Sequence, residues 1–271
     1  QNNVRASYSS GTPAIGVGAG NVSTLIDETA DLVSAAKKIS ASKSFDNATS
    51  CSSENSIVIL DEVYKKAIAA LKNEGGTMLS QEEKHNLQNA LWTQGRLNPE
   101  LIAKSAIEIA GVIGLQRPQI NKLKMLMVEE TETGREYPFS GEKLCPVLTV
   151  YRAKNFEDAC QQVKKIYEFQ GKGHSVGLHS KDESRPLEMG LSLPACRVIV
   201  NQSHCFATGG SFDNGLPFSL SMGCGTWGGN SISENLNYLH YLNIVRIVRP
   251  IPPNEPSLED IFGEYWDKHG R

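Results

Sequence analysis

The chain has 271 residues, of which 39% are hydrophobic, and this is enough apolar material for one large or two modest domains. Its net charge of -3 and pI of about 6.1 exclude the basic surface that nucleic acid or an anionic membrane attracts, and no apolar run is long enough to span a bilayer. The six cysteines are dispersed without metal-ligand spacing, so we expect a reduced, cytoplasmic protein with no metal site, whose partners are small molecules or other protein chains.

Predicted strands and helices alternate along most of the chain. An apolar run that ends in glycines predicts a strand at residues 12–18, and acids followed by lysines predict a helix at residues 27–38. Further strands are predicted at residues 56–60, 125–129, 147–152 and 197–201, and further helices at residues 62–73, 81–91, 100–111 and 156–169. This alternation predicts an α/β fold with a largely parallel, buried sheet.

Two later segments and the amino terminus differ from this pattern. Residues 201–230 are rich in glycine, serine and aromatic residues with little periodicity, which predicts a long, ordered and functional loop. Residues 242–249 alternate apolar and polar side chains, which predicts a strand that could add to another subunit's sheet. The chain begins without Met, and residues 4–10 resemble the tail of an element. We therefore expect it to lack the amino-terminal part of a longer polypeptide.

Cys51 is the candidate nucleophile. It lies among small residues in a predicted loop between a helix and a strand, where a substrate could reach its sulfur. An isolated cysteine is more often buried and inert, because reactivity depends on surroundings that favour the thiolate. The wider sequence pattern therefore has to decide its role.

Four blocks of sequence occur in order over nearly the whole chain. They are GTPAIGVGAGN at residues 11–21, FDN with CSSE at residues 45–47 and 51–54, EKLCP at residues 142–146, and GCGTWGGNS with SEN at residues 223–231 and 233–235. Together they resemble the CoA-acylating aldehyde dehydrogenases, including the aldehyde domain of bifunctional aldehyde-alcohol dehydrogenases. The resemblance implies an aldehyde dehydrogenase-like, three-layer αβα catalytic domain with a parallel-rich sheet, plus remnants of a nucleotide-binding domain.

The resemblance also implies a domain division and an assembly. Residues 1–22 would end the nucleotide-binding domain, residues 23–225 would form the catalytic domain, and residues 226–271 would carry the oligomerisation strand. A homodimer or higher homo-oligomer is expected. Most of the nucleotide-binding domain, including its phosphate-binding loop, has no counterpart here, so we expect the chain alone to bind the cofactor poorly.

The implied chemistry uses NAD or NADP as cofactor and coenzyme A as co-substrate. Cys51 would attack the aldehyde carbon, and loss of hydride to the nicotinamide would leave a thioester that the CoA thiol then takes over. The backbone N–H of Cys51 is a natural donor to the oxyanion. Hydrolytic aldehyde dehydrogenases place a glutamate base where this chain has Val17, so unassisted water attack is expected to be slow.

Several residues receive roles from the same resemblance. Glu142 would bind the nicotinamide ribose, although a surface acid is the alternative. His174 would take a proton from Cys51 or from CoA, although a histidine that caps a turn is an equal alternative. Gly18 and Gly20 would approach the cofactor closely, unless they only form a tight turn.

Residues 223–228 fit the pattern G-x-G-x-x-G, which often marks a dinucleotide site. Here a polar loop precedes the pattern and no helix follows it, so we interpret it as a flexible loop beside the acyl and CoA site.

The substrate is predicted from residues 197–217, which look most like acylating sulfoacetaldehyde dehydrogenases. A sulfonate needs hydrogen-bond donors, and Asn201, His204 and Thr208 are candidates. The same side chains could instead tie the loop together. Acetaldehyde and succinate semialdehyde remain alternative substrates, and a hydrolytic dehydrogenase or a noncatalytic assembly module remains an alternative function.

Overall fold

The central feature is a seven-stranded parallel sheet. The structure is a computed structural model that describes residues 2–271. The strands are β1 (Val22–Ile26), β2 (Glu54–Leu60), β3 (Gly76–Met78), β6 (Met125–Glu129), β7 (Val147–Ala153), β8 (Val176–His179) and β9 (Val198–Val200). They lie in the order β3-β6-β7-β2-β1-β8-β9, and each pair of neighbours is parallel. A separate hairpin joins β4 (Trp92–Thr93) to β5 (Arg96–Leu97).

Residues 2–271 contain nine α-helices. They are α1 (Asn2–Tyr8), α2 (Leu32–Ser44), α3 (Tyr64–Asn73), α4 (Gln81–Leu91), α5 (Ala106–Val112), α6 (Phe156–Phe169), α7 (Arg185–Ser192), α8 (His204–Ala207) and α9 (Leu258–His269). Of these, α2 to α7 lie in connections between strands of the sheet. Local sequence fixes several of their starts. Ser80 and Glu83 form a reciprocal capping box at α4, and the Asn155 side chain accepts from Asp158 N at the start of α6.

Both faces of the sheet are covered. Met125 and Met127 of β6 pack into the core that contains α2 and α3, whereas Leu126 and Val128 pack into the core that contains α4 and α5. Successive residues of a strand point to opposite faces, so the two cores lie on opposite sides of β6. The predicted α/β class with a parallel-rich sheet and three αβα layers is confirmed.

Most predicted elements are found, and the amino-terminal strand is wrong. Residues 12–18 form no strand; the strand is β1, whose buried Ser23 and Thr24 interrupt the apolar pattern. The helix predicted at residues 27–38 begins only at Leu32, because Asp31 rather than an earlier acid accepts the capping bond from Ser34 N. The helix predicted at residues 100–111 is α5, which starts later, after Ser105 as N-cap. Strand β8 and helix α7 were not predicted.

The chain divides into two compact units, Gln1–Asn237 and Tyr238–Arg271. The first contains the sheet. The second contains a 3₁₀ helix (Tyr238–Tyr241) and α9, which starts at a capping box on Ser257. Residues 242–249 form no strand within this chain, so their role in oligomerisation stays a prediction, as does the division at residues 22 and 225. Among residues 2–271, no helix has both the length and the apolar composition to cross a bilayer.

Candidate active site

The candidate residues gather at one edge of the sheet. Cys51 precedes β2, Glu142 precedes β7, His174 precedes β8, and Gly20 precedes β1. Because neighbouring strands are parallel, their amino ends share one edge, and loops that enter different strands meet there. The site therefore lies at the amino edge, opposite to the carboxyl edge where open α/β sheets usually bind ligands.

Cys51 and His174 are in direct contact. His174 Nε2 lies 3.3 Å from Cys51 Sγ, and its Nδ1 lies 2.7 Å from Ser175 Oγ. When Nδ1–H donates to that hydroxyl, Nε2 presents its lone pair to the thiol. The predicted pairing of a thiol with an imidazole is present in the structure, and it suits proton transfer from the sulfur.

Burial keeps both members of this pair neutral. It raises the pKa of the Cys51 thiol, an effect that the nearby Glu142 carboxylate increases and a Ser52 hydroxyl contact opposes. Burial also lowers the pKa of His174 to about 3, with contributions from His204 and Arg197. At neutral pH the resting pair is consequently thiol and imidazole, not thiolate and imidazolium.

The turn before Cys51 is conformationally unusual. Asp46, Asn47 and Ala48 have φ values of 48°, 47° and 60°, in the left-handed region that non-glycine residues rarely adopt. Thr49 holds this turn, since its hydroxyl donates to the Asp46 carboxylate at 2.6 Å and its N–H to Asp46 O at 3.1 Å. Asn47 Nδ2 donates to the Ala103 carbonyl at 2.8 Å. The FDN motif thus sets the path of the chain into the nucleophile.

Two glycines allow backbone to approach the site closely. A Cβ on Gly20 would lie 2.2 Å from Cys51 O, and a Cβ on Gly173 would lie 2.0 Å from Cys224 O. A Cβ on Gly18 would lie 3.0 Å from Cys224 Sγ. Gly18 and Gly20 therefore pack against protein around the nucleophile, and their predicted contact with a cofactor stays a prediction.

Glu142 is partly buried beside a large cavity. The cavity of about 850 Å³ is also lined by Trp92, Arg135 and Phe169. Burial raises the pKa of the Glu142 carboxyl to about 7, although Lys43 and Lys143 oppose the rise. The surface-acid alternative does not fit this half-buried position, and a carboxylate here can accept bonds from ribose hydroxyls.

A buried lysine shapes the loop that carries Glu142. Lys143 is fully buried and its Nζ donates to Phe139 O at 2.7 Å and Gly141 O at 2.8 Å. Its backbone N–H donates to Asn55 Oδ1 at 3.1 Å, which links this loop to β2 beyond Cys51. The EKLCP block therefore positions Glu142 relative to the nucleophile loop.

The three predicted substrate residues make internal contacts. Asn201 bonds the Ser180 backbone with both ends of its amide, and Thr208 donates to His204 O at 2.7 Å. His204 Nδ1 lies 2.9 Å from Ser52 O, so Nδ1 carries the proton and the buried Nε2 is an acceptor. These bonds match the alternative in which the loop is tied together, and a neutral His204 cannot donate to a sulfonate from Nε2.

Sequence reasoning missed Arg197. This buried side chain donates from Nη1 to His174 O at 3.1 Å and Gly223 O at 2.9 Å, from Nη2 to Ser233 O at 3.0 Å, and from Nε to Asn235 Oδ1 at 2.8 Å. The sequence signal that could have found it is a charged residue at the start of a buried strand, because burying a cation costs free energy unless it is hydrogen-bonded.

The glycine-rich loop that Arg197 holds is tightly bonded. Gly223 N donates to Glu234 O and Gly225 N to Ile232 O, while Cys224 is fully buried. No dinucleotide fold surrounds it, as expected, because only a 3₁₀ turn (Thr226–Gly228) follows. These bonds do not match the flexible loop that we predicted.

The chain is similar to known proteins of one class. The chain is 54% identical over all of its length to an acylating sulfoacetaldehyde dehydrogenase of Cupriavidus necator and covers 55% of that protein. It is 39% identical over 88% of its length to the bifunctional aldehyde-alcohol dehydrogenase of Escherichia coli, of which it covers 27%. No protein-family model matches the sequence.

Solved structures agree with these relatives. An acetylating aldehyde dehydrogenase from Geobacillus thermoglucosidasius superposes with a TM-score of 0.86 at 38% identity, over 93% of this chain and 56% of that one. A propionaldehyde dehydrogenase from Rhodopseudomonas palustris, solved with bound CoA and an acylated cysteine, gives a TM-score of 0.74 at 25% identity, over 86% of this chain and 52% of that one.

Fold, site and relatives therefore define a homologue of the CoA-acylating aldehyde dehydrogenases, and the resemblance predicted from the four sequence blocks is confirmed. Within that class the chain is similar to acylating sulfoacetaldehyde dehydrogenases. It spans about half the length of the curated relatives it matches.

Proposed function

We propose that the chain carries the nucleophile site of an enzyme that oxidises a small aldehyde to its acyl-CoA, with NAD or NADP as oxidant. The observation that carries this proposal is the contact of 3.3 Å between Cys51 Sγ and His174 Nε2 at an edge shared with Glu142. A buried, unreactive cysteine would not need an imidazole lone pair directed at its sulfur.

Cys51 and His174 begin the proposed reaction together. As Sγ bonds to the aldehyde carbon, His174 Nε2 accepts the thiol proton, and negative charge develops on the former carbonyl oxygen. The Cys51 backbone N–H would donate to that oxygen. A bound nicotinamide would supply the hydride acceptor, so that the thiohemiacetal on Cys51 could lose its hydride and become a thioester.

The thioester is then transferred to the CoA thiol. After releasing its first proton to solvent, His174 accepts the CoA thiol proton as the new sulfur bonds to the acyl carbon. When the bond to Cys51 breaks, His174 returns that proton to Sγ and regenerates the thiol. Val17 occupies the position where hydrolytic relatives have a glutamate, so no carboxylate activates water from there. Slow hydrolysis lets the acyl group persist until CoA arrives.

Glu142 would hold the ribose of the nicotinamide nucleotide. Its carboxylate borders the cavity of about 850 Å³ and can accept two hydroxyl hydrogen bonds when ionised. Because the pKa of this carboxyl is raised to about 7, cofactor binding should strengthen as pH rises through neutrality.

Sulfoacetaldehyde is the proposed substrate, with acetaldehyde and succinate semialdehyde as alternatives. The support is the similarity of residues 197–217 to acylating sulfoacetaldehyde dehydrogenases and the name of the relative that shares 54% identity. A homodimer or higher oligomer and a cytoplasmic location complete the proposal; six unpaired cysteines suit a reducing compartment.

A direct test separates acyl transfer from cofactor binding. p-Nitrophenyl acetate should acylate Cys51 and release coloured nitrophenol, and mass spectrometry should locate the acetyl group on the peptide that contains Cys51. Added CoA should remove the acetyl group as acetyl-CoA, while Cys51→Ala should show neither step. A noncatalytic assembly module would acylate no faster than free cysteine, and a hydrolytic enzyme would release acetate without CoA.

The oxidation is tested separately. NADH or NADPH formation is measured with sulfoacetaldehyde, acetaldehyde and succinate semialdehyde, each with and without CoA. Turnover that requires both CoA and Cys51 supports the proposal, and the relative kcat/KM values choose the substrate.

A further inference from the structure

Arg197 carries a buried positive charge that no carboxylate neutralises directly. Its side chain is buried, and no ion pair between residues 2–271 includes it. All four of its bonds go to neutral acceptors, namely three carbonyls and one amide oxygen. Neutral acceptors satisfy the guanidinium hydrogens but leave its net charge in place.

This charge is hydrogen-bonded to the backbone of the histidine in the Cys51–His174 pair. Nη1 donates to the backbone carbonyl of His174, the residue whose Nε2 contacts Cys51 Sγ. The same nitrogen donates to Gly223 O, so one guanidinium fixes both His174 and the glycine-rich loop. In a buried site such a charge acts over several ångströms, because little water screens it.

The charge has opposite effects on the two members of the pair. A nearby cation favours a negative sulfur and a negative substrate oxygen, and it disfavours a second cation. In keeping with this, Arg197 contributes to the lowered pKa of His174, and Cys51 is among the groups that favour the charged form of Arg197. The imidazole therefore stays available as a neutral base, and the charge opposes the rise that burial and Glu142 cause in the pKa of the Cys51 thiol.

We propose that Arg197 is a positioning residue that supplies the positive potential at the nucleophile site, and that it also fixes the backbone of His174 and of residues 223–235. The inference rests on the proposed role of Cys51. It assigns a function to a residue that touches neither substrate nor sulfur.

Two substitutions separate charge from shape. Arg197→Lys and Arg197→Gln both lose the guanidinium fork, and only the lysine keeps the charge. The rate of Cys51 alkylation by iodoacetamide is measured against pH for each, with the modified peptide identified by mass spectrometry. The glutamine variant should have a profile displaced to higher pH, with alkylation about tenfold slower at neutral pH, whereas the lysine profile should keep the wild-type midpoint.

Arg185 provides the matched control. It is also a partly buried arginine, but it pairs with Asp27 and Glu28 near the carboxyl end of β1, at the opposite edge of the sheet. Arg185→Gln should lower the unfolding temperature without moving the alkylation midpoint. A purely structural role for Arg197 would instead slow both Arg197 variants equally and leave both midpoints unchanged.

A measurement on the wild-type protein does not depend on the variants folding. The anionic reagent iodoacetate is compared with neutral iodoacetamide, and the ratio of their rates at Cys51 is divided by the same ratio for free cysteine. A positive potential predicts a quotient several-fold above one; a quotient of one or below overturns the inference. If p-nitrophenyl acetate does not acylate Cys51 in the wild-type protein, the proposed function fails as well, whereas acylation of Cys51 together with a quotient of one or below overturns this inference alone.

Discussion

Gly20→Ala should displace the nucleophile. A Cβ on Gly20 would lie 2.2 Å from the Cys51 carbonyl oxygen and 2.9 Å from its carbonyl carbon and Cα, whereas ordinary contact begins at 3.4 Å. The Cys51 backbone must therefore move by about 1.2 Å, because the obstacle is main chain and cannot rotate away. Gly20 does not have a positive φ, so alanine introduces steric conflict without backbone strain.

The displacement should cost far more activity than stability. Overpacking of this kind lowers the free energy of unfolding by about 1–3 kcal/mol. A misplacement of about 1 Å at a reacting group costs on the order of 100-fold in rate, and here it would disturb the contact of 3.3 Å between Cys51 and His174. We expect acylation of Cys51 by p-nitrophenyl acetate to fall by about 100-fold while the protein remains folded by circular dichroism.

Gly190→Ala is the matched control. Gly190 lies inside α7, where an added Cβ meets nothing within 4 Å. This alanine should raise the free energy of unfolding by about 0.5–1 kcal/mol and leave acylation unchanged. If Cys51 in Gly20→Ala is acylated at the wild-type rate while Gly190→Ala behaves as stated, the argument that the Gly20 contact positions Cys51 is refuted.

Three further outcomes follow from the same geometry. His174→Gln should slow acylation of Cys51 by about 100-fold at neutral pH, and by a smaller factor at alkaline pH, where the thiol ionises unaided. The control His179→Gln, at the carboxyl end of β8, should not slow acylation. Equal slowing by the two variants would contradict the role of His174 as a base. Burial raises the pKa of the Glu54 carboxyl from 4.5 to about 7, so the free energy of unfolding of the wild-type protein falls as pH rises through that window. In urea unfolding, the stability of Glu54→Gln relative to wild type should grow by about 3 kcal/mol from the lower to the upper end of that window. A constant difference would count against the raised pKa. Ser80→Ala removes the α4 capping box and should lower the free energy of unfolding by about 1 kcal/mol without changing acylation, which a loss of activity would contradict.

The strongly periodic elements were predictable from sequence. Residues 81–91 and 156–169 match α4 and α6 at both ends, because polar caps and amphipathic spacing coincide there. Strand β6 was also predicted with its observed bounds, from an uninterrupted apolar run. In each case local preference and tertiary burial favour the same structure.

Central elements of the sheet were harder to predict. Strand β1 contains buried Ser23 and Thr24, and β8 contains Gly177, whose absent Cβ would lie 2.2 Å from Thr24 Oγ1. The glycine is required by close packing between neighbouring strands, a constraint that no local pattern reveals. The glycine-rich run at residues 12–18 supplied a misleading apolar signal in the same region.

The nucleophile could be found through the resemblance, and its surroundings could not. Cys51 and Glu142 stand in the sequence blocks that carry the resemblance. Arg197 is 146 residues from Cys51, and the segment that it begins indicated a substrate rather than this role. Its role depends on four acceptors supplied by three separate parts of the chain. Such a constellation exists only after the sheet has formed.

The neutrality of the resting pair has a mechanistic consequence. Burial raises the pKa of Cys51 and lowers that of His174, so proton transfer between them in the empty site is unfavourable. In the proposed reaction, transfer becomes favourable when a carbonyl accepts the negative charge at a position where the Cys51 N–H and the field of Arg197 would stabilise it. A thiol controlled in this way reacts slowly with alkylating agents and oxidants at rest and becomes nucleophilic with its substrate, which is the behaviour required of a cysteine that must hold an acyl group until a second thiol arrives.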